Sequence, residues 1–212
     1  MEALQRTLLA QDWLTFVLLT MLLIVFVLRG LSAEKLQGTF LALFNKGWVD
    51  IEIEERVGLF NSFQIIQYLF TIGVVSVSCF LIGNHYNTYS NDFTIFTIYF
   101  GSIFAYFLLK RGLELGLSNA LQIQEGVNYY MRSKSIYLNS ISFFLFAIII
   151  VFAYGSLHIN AFLILLFILL LFRLILLVVY NKNLIFNHLF YFILYLCAFE
   201  IAPLLILLKL ML

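Results

Sequence analysis

Residues 161–180 read AFLILLFILLLFRLILLVVY, twenty residues in which Arg173 is the single charge. A hydrocarbon core of ~30 Å is crossed by about 20 apolar residues of helix, so this stretch predicts a membrane-spanning helix. Working outward, five further runs have the same character, at 13–28, 63–82, 93–109, 136–154 and 184–207. The expected fold class is all-α: a polytopic integral membrane helical bundle of about six transmembrane helices, forming one membrane domain over residues 1–212. Composition agrees, with 64% hydrophobic residues, 11% charged residues and a mean hydropathy of +1.05. Soluble domains carry roughly 25% charged residues.

Charge then orients the bundle. Arg29, Lys35, Lys46 and Arg56 fall between the first two spans, Lys110, Arg111, Arg132 and Lys134 between the third and fourth, and Lys182 between the fifth and sixth. The alternate connections, 84–92 and 155–160, contain no Lys or Arg. Basic residues are retained on the cytoplasmic side, so loops 29–62 and 110–135 are expected to be cytoplasmic and both termini periplasmic. Arg6 and Lys209 lie in the terminal tails, near enough to helix ends to snorkel to headgroups. A cleaved signal peptide would place its positive charge ahead of the apolar stretch. Here Glu2 and Asp12 oppose Arg6 ahead of the first span and Arg29 follows it, which favours an uncleaved helix.

The long cytoplasmic loops have patterns of their own. Leu36, Phe40, Leu43 and Phe44 recur at helical spacing with Glu34, Lys35 and Gln37 off the stripe, predicting an amphipathic helix in the membrane interface. Val49, Ile51 and Ile53 alternate with Asp50, Glu52 and Glu54, a period-two pattern that predicts a short extended segment. In the second loop Leu113, Leu117, Leu121, Val127 and Tyr130 form another apolar stripe, opposed by Gly112, Gly116 and Gly126 at about 1 kcal/mol each relative to Ala. Between spans two and three, Gly73, Ser76, Ser78 and Cys79 face the prospect of close packing with Gly101, Ser102 and Ala105.

Charges within spans are costly and are functional candidates by default. Arg173 and Glu200 qualify, but about 13 Å of depth separates them at ~1.5 Å per residue, so they form two sites. Arg173 levels with Tyr191, and His188, Tyr191 and Tyr195 share one helical stripe. Two readings stand for Arg173: snorkelling or binding an anionic lipid head, and an anion contact with His188 and Tyr191. Glu200 precedes Pro203, the only proline, which cannot donate to the Phe199 carbonyl. A cation or proton would find two ligands there; a kinked helix end reaching the outer interface is the alternative. The acidic run Asp50, Glu52, Glu54 and Glu55, ended by Arg56, is either a solvated face or a partner-binding loop.

Other chemistries find no footing in the sequence. Cys79 and Cys197 both lie in apolar runs, where thiols act as small hydrophobes. His85, His158 and His188 lack the spacing of a zinc site, and no metal or cofactor is expected. There is no Gly-rich phosphate loop or nucleophile elbow, and a net charge of +1 argues against a nucleic-acid partner.

The run FYFILYLCAFEIAP at 190–203, the stretch FLLKRG ending at Gly112 and the Arg173 helix resemble a family of integral membrane proteins of Bacteroidota, labelled domain of unknown function 4271. The resemblance implies the inner membrane of a Gram-negative cell and makes Tyr195, Glu200 and Pro203 family motif positions; it implies no reaction. The expected role is a non-enzymatic accessory or scaffold subunit of an inner-membrane complex, of the kind serving protein secretion or envelope assembly. Its partners would be the lipid bilayer and a membrane protein or a second copy. Alternatives are a small-solute or ion transporter using Glu200 and the Pro203 break, and a lipid-modifying enzyme.

Overall fold

The computed structural model describes residues 12–54, 62–87, 93–120, 124–155 and 158–180. Among these are seven helices and no strand: α1 Asp12–Leu31, α2 Ala33–Leu41, α3 Lys46–Glu54, α4 Ser62–Asn87, α5 Phe93–Ala120, α6 Gln124–Tyr154 and α7 Ile159–Tyr180. Five of them, α1, α4, α5, α6 and α7, are long and apolar enough to cross a membrane. They match the first five expected spans; the sixth, at 184–207, lies outside the described residues.

The chain breaks between α1 and α2 at Ser32, whose extended backbone makes it an N-cap and whose Oγ accepts from the Lys35 amide at 3.2 Å. The helix expected from the stripe of Leu36, Phe40, Leu43 and Phe44 is present. It docks on α6 instead of lying alone on the bilayer surface. Leu43 is buried, and the Phe40 ring stacks on Phe144 with centroids 4.7 Å apart.

One expectation is overturned. The segment read as extended, Val49 to Glu54, is the helix α3. A strand would put Val49, Ile51 and Ile53 on one face, yet Val49 is 1% exposed and Ile51 51%. Val49 and Ile53 are one helical turn apart, so the same residues also satisfy a helical period, and packing against α6 selects it. The second loop, 110–135, is helical at both ends, as its apolar stripe predicts, but as continuations of the spans: α5 continues to Ala120 and α6 begins at Gln124. Extending a formed helix adds a hydrogen bond per residue, which offsets the cost of Gly112, Gly116 and Gly126. At 1.5 Å per residue α5 and α6 are about 42 and 46 Å long, so both project well past a ~30 Å core.

Helices α4 and α6 form the centre. α4 packs against α1, α5 and α6, while α6 also meets α2, α3 and α7. One hydrophobic cluster runs along α1, α4 and α6, with Phe70 stacked on Phe143 at 4.9 Å and Trp13 set edge-on to Phe80 at 5.0 Å. A second cluster, Ala42, Leu43, Val49, Tyr137, Ile141 and Leu176, fastens α2 and α3 as a cap over one end of the bundle. Gly38 allows the closest approach in that cap, because a Cβ there would fall inside the indole of Trp48.

Spans two and three do pack together, as α4 and α5, but not through the small residues expected on α5. Gly101, Ser102 and Ala105 are exposed, and nothing lies near a Cβ built on Gly101. The contact is made by Phe96 against Phe80, by Tyr99 over Gly83 and by buried Ile103. On α4, Gly73 instead admits Met21 of α1, and the Ser76 and Ser78 hydroxyls donate to the Ile72 and Val74 carbonyls of their own helix.

Candidate functional site

Polar residues on the two central helices fall on facing stripes. On α4 they are Gln64, Gln67, Tyr68 and Thr71; on α6 they are Arg132, Ser135, Asn139 and Ser142, at steps of three, four and three residues. Such steps keep side chains on one helix face. An unpaired polar group in a lipid-embedded core is costly, so two such faces are driven together. The Thr71 hydroxyl donates to Asn139 Oδ1 at 2.9 Å and lies 3.2 Å from Ser142 Oγ. Ser142 donates to the Asn139 carbonyl at 2.6 Å, and the Tyr68 and Ser135 hydroxyls are hydrogen-bonded to each other. Thr71 stands nine residues into α4, about 14 Å from its start, so the seam reaches well into the bundle.

Toward the capped end the seam opens into a cavity of about 60 Å³. Gln64, Gln67, Tyr68, Ser135 and Asn139 form its deep side, Thr39 and Glu52 of the cap its roof, and Arg111 and Arg132 its charged flank. At about 30 Å³ per water in the liquid this is room for about two waters. Arg132 also holds the roof, its Nη1 donating to the Ile53 carbonyl at 3.2 Å. The Tyr129 hydroxyl donates to Asp50, and Ser140 donates to the Phe40 carbonyl at 3.3 Å. Formal charges on the lining, Arg111 and Arg132 against Glu52, leave one positive charge in excess.

Gln67 is the unsatisfied member of this group. It is 4% exposed, and its Nε2 has no hydrogen-bond partner among the described residues. A buried donor without an acceptor costs about 1–3 kcal/mol. A water or a ligand oxygen in the cavity would relieve that cost.

The residues singled out from sequence are distributed unevenly around this site. Glu52 lines the cavity and Asp50 braces its roof, so these two acids turn toward the bundle. Glu54 closes α3, while Glu55 and Arg56 lie outside the described residues. Arg173 is half-buried on α7 and its Nη2 donates to the Lys134 carbonyl of α6 at 3.4 Å. Its proposed companions His188 and Tyr191, and the group Tyr195, Phe199, Glu200 and Pro203, lie outside the described residues. The seam itself was missed. Its signal is the three-four-three spacing of polar residues within the apolar run of α6, which a search for charges alone passes over.

Residues 14–211 match the family described as Domain of unknown function (DUF4271). No curated protein and no solved structure matches the chain.

Proposed function

The chain belongs to this domain of unknown function family, whose description assigns no reaction, and from the chain's own geometry we propose that it is a non-enzymatic accessory or scaffold subunit of a bacterial inner-membrane complex. The observation that carries this reading is the cap. Helices α2 and α3 are too short to be stable alone, yet they are fixed on α6 by a buried apolar cluster and by the bonds from Tyr129, Arg132 and Ser140. Outward the cap presents Leu41, Phe44 of the turn between the two helices and Ile51, each at least half exposed, beside charged Glu34 and Lys46. A rigid surface of mixed apolar and charged character at a membrane boundary suits a protein partner.

In this reading the capped end is cytoplasmic, because the basic residues between spans gather there, and both termini are periplasmic. In a cysteine-free background, a cysteine at Asn87 is then labelled from outside intact cells and one at Gln122 is not; the reverse pattern overturns the orientation. The partner role is tested with a photo-crosslinking residue at Ile51 and a control at Phe167 on exposed α7. One discrete adduct from Ile51 that co-purifies in fixed stoichiometry supports the role. Identical patterns from the two positions sink it.

The polar cavity favours a second reading, a small-solute or ion transporter, to which Glu200 and the Pro203 break would contribute the opposite end of a path. Solute uptake by proteoliposomes that disappears in Glu200→Gln at equal protein content would support it over the scaffold role.

A further inference from the structure

We propose that the cavity beneath the cap is a binding site for a phosphate-type oxyanion. The lining is rich in donors. Arg132 brings a guanidinium fork that commits one N–H to the Ile53 carbonyl, and Arg111 adds a second guanidinium on the same flank. Tyr68 and Ser135 contribute hydroxyls, and Gln67 contributes a buried amide N–H₂ with no acceptor among the described residues. Glu52 on the roof balances one of the two positive charges, so the site suits an anion of low charge.

Size and position narrow the ligand. A cavity of about 60 Å³, room for about two waters, is also room for one tetrahedral oxyanion with its oxygens spread toward several walls. Planar guanidinium forks and fixed amide donors are the groups that recognise such oxygens, by two parallel charge-assisted bonds where geometry permits. The cavity lies near the start of α4 and under the cap, the depth at which a helix of this length leaves the hydrocarbon. The same phosphate group can therefore come from two sources, free in the aqueous phase or as the head of a membrane phospholipid. A neutral solute, or water alone, would satisfy Gln67 without using the positive charge that the lining carries in excess.

The full-length protein in detergent provides the test. Its melting temperature is followed as sodium phosphate is added against sodium chloride of equal ionic strength, and separately as phosphatidylglycerol is added against diacylglycerol, which lacks the phosphate. Stabilisation by inorganic phosphate identifies a free oxyanion; stabilisation by phosphatidylglycerol alone identifies a lipid head. In either case the apparent affinity falls about tenfold or more in both Gln67→Met and Arg132→Lys, as expected for loss of a bond to a charged group. Gln67→Met without ligand melts no lower than the wild type, because an apolar chain of similar volume removes an unsatisfied donor. No stabilisation by either phosphate source, meaning a cavity that holds only water, overturns the proposal, as does an unchanged affinity in either variant.

Discussion

Helices α6 and α7 are neighbours of similar span length, and they occupy opposite places in the bundle. α7, the more apolar of the two, touches the rest of the bundle mainly through Phe162, Leu176 and Leu177 and exposes Ile164, Phe167, Ile168 and Ile175. α6 carries Ser133, Asn139, Ser140 and Ser142, and all four are buried. A water-soluble protein would sort these helices the other way. In lipid the surroundings are as apolar as a leucine side chain, so burying α7 gains little, whereas α6 and α4 gain by pairing hydroxyls and amides that hydrocarbon would leave unsatisfied.

That contrast can be broken by substitution. Tyr137 of α6 is fully buried beneath the cap, and Tyr137→Ala is expected to cost about 3–5 kcal/mol, against near zero for Phe167→Ala on exposed α7. Denaturant unfolding of the two variants in one detergent reads the difference, and equal losses would mean that α7 is covered. Gly38→Val comes next. Its side chain must displace the Trp48 indole, costing about 1–3 kcal/mol and loosening the cap, which proteolysis near α3 would register.

Smaller effects sharpen the comparison. Thr71→Val removes one hydroxyl from the seam and is expected to cost ~0.6 kcal/mol, the average for a hydrogen bond between membrane helices. Paired with Asn139→Ala in a double-mutant cycle, it should show less than additive loss; strict additivity would mean the two side chains do not interact. Gly101→Leu, on the open face of α5, is expected to change stability by no more than about 0.5 kcal/mol. A large loss there would show that this face is occupied in the membrane.

These elements also show what a sequence can reveal about such a protein. Five spans and the α2 helix follow from apolar length and periodicity, which are local quantities. The conformation of α3 was not local, since Val49 and Ile53 satisfy both a strand and a helix period and only the face of α6 decides between them. Sequence likewise gave small residues on α5 without saying which side of that helix meets α4, and the bulky Phe96, Tyr99 and Ile103 took that role. Of the cavity lining, Glu52 stood out beforehand as part of an acidic run. Gln67, Ser135 and Asn139 did not, because an isolated uncharged polar residue within an apolar helix becomes informative only when its partner on another helix is known.

The seam has a consequence for biogenesis. Thr71 and Asn139 are 68 residues apart in the chain. At 5–20 residues per second of synthesis, α4 waits roughly 3 to 14 s before α6 emerges to meet it. Through that interval the Gln67 and Thr71 side chains must be held by something other than their final neighbours, whether the insertion machinery, water at the membrane boundary, or their own helix. The Thr71 hydroxyl already has one such provisional acceptor, the Gln67 carbonyl at 3.1 Å. Among the described residues the Gln67 amide nitrogen has no acceptor, which makes the nascent α4 most dependent on assistance at the position where the finished protein keeps its polar cavity.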